Sequence, residues 1–283
     1  MDEGVYTRKS VSNLRSPEAR LYFDLGLRRL FGYHHQEAIK YFDRCKVHAP
    51  DCALVPALMA LCHCPNYNFT GDAYYNSTSS NYRDENENGV GPSAVDHAIR
   101  TNLFPCQESA YYYSKNSQEI VVRLNGAKSS TSRKNKKKNK NKIQKMKHVS
   151  RDASTKISQD ECLIIDAIQE LTKVPGISAD RSEETVGRPY ANALRKAYKR
   201  FCRDPDIAYL YAESLLVLNA WELYEFTSQR TLSPDVDEAR AVLESALRDY
   251  PEHAGLCHLY IHLCEMSPDP GAALEACMPL RTK

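Results

Sequence analysis

The chain has 283 residues, 42% of them apolar, with 38 Lys or Arg against 36 Asp or Glu and a formal net charge of +2. That apolar share supports a buried core and excludes a wholly disordered chain, while no window is long and apolar enough to cross a bilayer and the N-terminus carries no secretory apolar run. The near-neutral balance hides a split: residues 128–147 hold ten Lys or Arg and no acid, so removing those ten from +2 leaves −8 on the rest.

In chain order, residues 1–15 read as a flexible N-terminus. Ser16 then offers a cap, Pro17 suits a first helical turn and Gly32 lies where a helix could end, predicting helices over 17–31 and 34–48. Further helices are expected over 52–64 and 107–124, 158–173 and 188–203, 205–219 and 234–250, then 252–266 and 268–281. Pro56 falls inside the third of these, which predicts a bend or a late start. Residues 65–106 form a polar insertion with a short helix expected at 93–103, and 125–157 a lysine-rich insertion that lacks the apolar period needed to fold alone. The expected organisation is thus a flexible 1–15, hairpins one and two in 16–124, a disordered 125–157, and hairpins three to five in 158–283.

A repeat underlies this order. PDCA at Pro50, PDIA at Pro205 and PEHA at Pro251 each follow an alanine twelve residues earlier, at Ala38, Ala193 and Ala239. The proline is expected to end one helix and the acid to cap the next, while the alanine allows close approach of two helices. Leu25-Gly26, Ala38, Phe42 and Pro50 have the spacings of a tetratricopeptide repeat (TPR), and the chain resembles that superfamily. It is also similar to a poorly characterised family of large TPR proteins of bacteria and some eukaryotes, through FDLGLRRLFGYHHQEAIKYF at 23–42, PNYN at 65–68, DPDIAYLYAESLLVLNAW at 204–221 and YPEHAGLCHLYIHLCEMSPDPGAAL at 250–274. The resemblance implies an all-α, TPR-like solenoid of about five hairpins with an interaction role. Relatives of this kind continue past Lys283 with further histidine-rich hairpins, which implies a shortened member or a fragment.

The ten cysteines are scattered through helical patterns and read as reduced thiols of a cytoplasmic or nuclear protein. Cys62 and Cys64 flank His63 without a second cysteine pair, so they read as core thiols at a helix end rather than zinc ligands. His258, His262 and Glu265 share one helical stripe. Two histidines at this spacing can chelate one metal, with Glu213 as a candidate third ligand, but Leu259 breaks the HExxH pattern, and the pair reads first as half-buried packing histidines. His34 and His35 read as solvent-facing turn residues. Trp221 and the Asn66-Tyr67-Asn68 loop lie on the edge formed by turns inside hairpins and read as loop-ordering groups, with ligand contact as the alternative.

The leading functional reading is a non-catalytic scaffold that holds a partner peptide or helix in the concave groove of the solenoid, with Tyr209, Glu213, Trp221, His258, His262 and Asn66 as candidate contacts. Phe23, Leu27, Leu210 and Ser214 stand where chaperone-binding TPR proteins place carboxylate-holding side chains, which argues against that mode. No Walker loop, GxSxG elbow or GxGxxG turn is present, so no catalytic residue, cofactor or small-molecule substrate is inferred. A metal- or small-ligand-binding protein or enzyme at His258 and His262 is one alternative. Nucleic-acid association through Arg133, Lys134, Lys136, Lys137 and Lys138 is another. The expected partner is a protein of unknown identity, and no membrane.

Overall fold

The computed structural model describes Arg8 and residues 10–68, 107–131, 156–172, 186–228, 230–274 and 278, and for 107, 108 and 126–131 the backbone alone. Helix α1, Pro17–Phe31, begins where the sequence places it. Ser16 Oγ accepts the Ala19 N–H at 3.0 Å, Pro17 fills the first helical position, and Glu18 and Arg28 complement the two ends of the dipole. A three-residue link returns the chain into α2, His35–His48. The Phe42 ring lies 2.6 Å from where a Cβ on Gly26 would stand, so the bare glycine sets the closeness of this hairpin.

Helix α3, Leu54–Cys62, starts two residues later than expected because Pro56 can sit only in a first turn, where its missing N–H has no partner to lose. All nine of its residues are buried, which marks it as a helix covered on every side. Helix α4, Gln107–Thr131, is held to α3 by Ser117 Oγ, which donates to the Ala53 carbonyl at 2.7 Å. It overruns the boundary at 125: intrahelical bonding carries on past the last packed turn, where Val122 is already 68% exposed. Helices α5, Gln159–Thr172, and α6, Arg188–Arg200, follow.

Helix α7, Pro205–Val217, is buried at every position but Val217 and is the second element covered all round. Helices α8, Pro234–Asp249, and α9, Ala254–Glu265, complete the described set. The repeated Pro-acid motif works only in part: Pro50 and Pro251 directly follow the C-caps Ala49 and Tyr250 of α2 and α8, as expected, but at none of the three sites is the acid the cap. Pro205 opens α7 instead of closing α6, and the cap is Asp204, one residue before the proline; at α9 the cap is His253, whose Nδ1 accepts the Leu256 N–H at 3.1 Å; at α3 it is Ala53, with no side-chain bond.

Each helix packs on the next in the chain, α3 also touches α5, α7 touches α9, and α1 touches α9. The protein is all-α among the described residues, apart from isolated bridge residues at Asn66 and at Tyr224, which pairs with Thr231. No helix among them is long and apolar enough to cross a membrane. The second helix of the fifth hairpin, the helix at 93–103 and the arm from Arg133 to Lys138 lie outside the described residues or almost so.

The N-terminal segment is not loose from Arg8 onward. Arg8 is 4% exposed and pairs with Asp160, Asp204 and Asp206, and the Ser12 N–H donates to Glu161 at 2.6 Å. Charge complementarity across almost two hundred residues fixes a stretch whose local sequence has no structural period.

The contact of α1 with α9 centres on Phe31, whose ring lies 4.5 Å from Tyr209 and 4.8 Å from His253. Gly255 makes room for it: a Cβ there would stand 2.7 Å from the Tyr209 ring and 3.0 Å from Phe31. Both rings are buried and cannot swing away, so Gly255→Ala is expected to cost about 1–3 kcal/mol by overpacking. Gly271→Ala, whose nearest neighbour is the carboxylate end of Asp269 at 3.3 Å, should leave the urea midpoint unchanged.

Candidate functional site

Four segments meet at one edge: the turn after α1, the loop after α3, the loop after α7 and the end of α9. The turn after α1 closes with a 6→1 and a 5→2 bond, from His34 N–H to the Arg29 carbonyl at 2.9 Å and from Tyr33 N–H to the Leu30 carbonyl at 3.0 Å. This closure needs a left-handed residue, ordinarily glycine. Gly32 stands one position early, so Tyr33 takes that conformation with φ at 58°. Trp221, in the loop after α7, is also left-handed, with φ at 65°. Such conformations strain a bulky L-residue and persist where surrounding contacts hold them.

Both strained aromatics belong to one ring cluster. Tyr33 lies 4.7 Å from the His258 ring and stacks on His262 at 6.2 Å; Tyr67, fully buried, lies 4.8 Å from His262 and 5.4 Å from Trp221. The loop that carries Tyr67 is folded by an Asx turn, in which Asn66 Oδ1 accepts the Asn68 N–H at 2.9 Å.

The histidines form a chain. His258 Nδ1 donates to the Phe31 carbonyl at 2.7 Å, His262 Nδ1 lies 2.9 Å from Glu265 Oε1, and the two Nε2 atoms are 3.1 Å apart. Phe31 closes α1, so His258 satisfies a carbonyl that the helix leaves open. Because a carbonyl only accepts, His258 carries its proton on Nδ1 and presents a lone pair at Nε2. Burial holds His258 below the ordinary histidine range, with its neighbour His262 adding to the effect, while the Phe31 carbonyl and Glu265 oppose it.

Beneath Tyr33 lies Glu213, buried on α7. Burial raises its carboxyl to about 7, although the hydroxyls of Tyr33 and Tyr209 pull the other way. The phenols of Tyr33, Tyr190 and Tyr209 are all pushed up, first by burial and then by Glu213. Next to this cluster a cavity of about 460 Å³ opens, lined by Tyr33, His34, His35, Cys62, Cys64 and Asn66 among others. Burial lowers His35 to about 4, and His63, behind it, to about 3, so both imidazoles are neutral. Burial also holds Cys62 well above the usual thiol range, leaving a thiol rather than a thiolate nucleophile. Cys62 and Cys64 are buried. The cavity wall therefore offers neutral hydrogen-bonding and metal-coordinating groups.

Of the residues singled out in the sequence, Asn66, Trp221, His258 and His262 converge at this edge, joined through Tyr67 and Tyr33. Tyr209 and Glu213 do not offer accessible groove contacts: they are 1% and 6% exposed, because the face of α7 that carries them is covered by Phe31, Tyr33 and α9. Glu213 also keeps company with Tyr33 and Tyr209 instead of completing a ligand set with the histidines. His35 is half-buried against the cavity, where a solvent-facing turn residue was expected. Tyr33 was missed, and the signal that could have found it is a glycine placed one residue too early for the helix stop. Arg133, Lys134, Lys136, Lys137 and Lys138 lie outside the described residues. Comparisons with protein families, with curated proteins and with solved structures return no match.

Proposed function

We propose that the protein is a stack of TPR-type helix hairpins, curled until its first and fifth hairpins meet, and that it is a non-catalytic binding protein which receives a segment of a protein partner at the edge of its hairpin turns. The order of helix contacts supports the hairpin reading, since each helix packs on its successor and first helices of neighbouring hairpins touch at α3–α5 and α7–α9. A groove along the first helices is a poor receptor here, because Phe23, Leu27, Tyr209 and Leu210 are at most 5% exposed.

The observation that carries the relocated site is the strained Tyr33 on the wall of a cavity of about 460 Å³, beside a ring cluster that runs through His262 and Tyr67 to the second strained aromatic, Trp221. Trp221 remains 51% exposed and Phe226, in the same loop, 92%, so an apolar anchor and polar recognition groups sit on one edge. A cavity of this size takes one or two side chains of an extended segment.

The test places a photo-crosslinking amino acid at His34 or at Asn68, both exposed at the cavity, and at Val47 on α2, which is 78% exposed. The same adduct from both cavity positions and none of it from Val47 is expected in cells. No adduct at the cavity, or one shared with Val47, overturns the reading.

A further inference from the structure

We infer that His258 and His262 form a binding site for a divalent first-row transition ion, coordinated through their two Nε2 atoms. This goes beyond the binding role proposed above and does not depend on it.

Two of the four ring nitrogens are already engaged. His258 Nδ1 is taken by the Phe31 carbonyl at 2.7 Å, and His262 Nδ1 by the Glu265 carboxylate at 2.9 Å. A carbonyl and a carboxylate both accept, so each ring keeps its proton on Nδ1 and leaves a lone pair on Nε2, and these two nitrogens lie 3.1 Å apart. Two lone pairs at that distance repel unless something positive lies between them. A proton can do this, at the price of an imidazolium on His262. A metal ion does it with both rings neutral.

The separation fits the second solution. Two nitrogens each about 2.0–2.1 Å from one ion, at a square or tetrahedral angle, lie about 2.9–3.4 Å apart. The supporting shell fits as well. Metal-bound histidines nearly always donate the other ring N–H to a backbone carbonyl or carboxylate, which fixes the tautomer and the ring direction, and here one ring has each kind of acceptor. Rotation of the rings is restrained by Tyr33, 4.7 Å from His258 and stacked on His262, and by Tyr67, 4.8 Å from His262. His262 is 12% exposed, which leaves an approach for the ion. Two neutral imidazoles select Zn²⁺, Cu²⁺ or Ni²⁺ over the oxygen-seeking Mg²⁺ and Ca²⁺. Among the described residues no third His, Cys, Asp or Glu joins the pair, so the remaining positions fall to water or to a ligand brought to the ion.

The test uses the full chain, stripped with chelator and titrated with Cu²⁺ or Zn²⁺ alone. One ion per chain is expected, with nitrogen couplings from two imidazoles in the electron paramagnetic resonance spectrum of the Cu²⁺ form. The single tryptophan should report the same event, since Trp221 lies 5.4 Å from the Tyr67 ring, itself 4.8 Å from His262, and Cu²⁺ should quench it. His262→Gln should weaken the site at least tenfold with the fold intact, because among the described residues the ring hydrogen-bonds Glu265 and His258 alone. His258→Ala, which also frees the Phe31 carbonyl, should abolish binding, and its fold is checked by circular dichroism. Glu265→Gln, which leaves both coordinating nitrogens in place, should cost about tenfold. The proposal fails if the ion binds with the same affinity in His262→Gln, or if the Cu²⁺ spectrum carries no two-imidazole coupling. Mg²⁺ and Ca²⁺ at the same concentrations should leave the fluorescence unchanged, and quenching by them would count against it.

Discussion

Arg8→Met is expected to destabilise the fold by about 3–5 kcal/mol, seen as a fall in the urea midpoint, because it strands buried carboxylates whose cation is gone. The Arg8 fork reaches Asp160, which opens α5, and Asp204 at 3.0 Å and Asp206 at 2.7 Å, which open α7. Asp206 is 3% exposed and shares its other oxygen with His253 Nε2 at 3.1 Å, the cap of α9. One guanidinium thus ties together the starts of three helices. Asp160 and Asp204 keep some stabilisation from solvent and from their own helix ends, so most of the loss falls on Asp206.

The same arrangement fixes a pH signature. Burial would raise Asp206, but the bonds from His253 and Arg8 outweigh it and hold the carboxyl below its ordinary value. A depressed carboxyl contributes stability above its unfolded pKa, and that contribution disappears as pH falls through the lower folded value. Wild type should therefore lose its advantage over Arg8→Met on acidification below about pH 4, where the carboxylates take up protons. Arg8→Lys should recover only part of the midpoint, since an ammonium cannot present a planar fork to several carboxylates. Equal midpoints for wild type and Arg8→Met at pH 7 would show that the clamp is dispensable.

These cases mark what the sequence could reveal. Helix α1 was legible from Ser16, Pro17 and Gly32, and α7 and α9 from the repeated motif, because these signals are local. The late start of α3 followed from Pro56 for the same reason. The Arg8 clamp was not legible: nothing near Arg8 announces partners at 160, 204 and 206, and the residues around it have no period. The caps were misassigned because the proline of the repeat can open a helix as well as end one, and at Pro205 it does the former.

The site was legible only in part. The sequence could place Asn66 and Trp221 on one edge by counting turns, and His258 with His262 on one stripe by helical geometry. That these sets meet depends on the contact of α1 with α9, where Phe31 lies against Tyr209 and His253 and Gly255 leaves the space for it. The same contact helps to bury Tyr209 and Glu213, which nothing local to α7 foretells.

Glu213 provides the second large effect. Its carboxyl, ordinarily near 4.5, is raised to about 7 by burial. A raised carboxyl favours the protonated fold: its contribution is fully present below pH 4.5, declines as pH rises, and is gone once pH passes about 7, since the unfolded chain ionises freely and the buried group does not. The shift corresponds to about 3 kcal/mol. Glu213→Gln keeps the size and a polar oxygen beside Tyr33 and Tyr209 but cannot ionise. The variant is expected to match wild type to within about 1 kcal/mol at pH 4.5 and to exceed it by about 3 kcal/mol at pH 8. Urea midpoints of the two chains across that range measure the difference directly, and titrations common to both, including those of His35, His63 and His258, cancel. Parallel curves would mean that Glu213 is solvated or paired well enough to ionise normally. If the curves diverge, the consequence reaches the site, because Glu213 lies under Tyr33. Above neutrality a buried negative charge forms below the strained turn that flanks the histidine pair, so the stability of that turn and the charge at the edge change together in the physiological range.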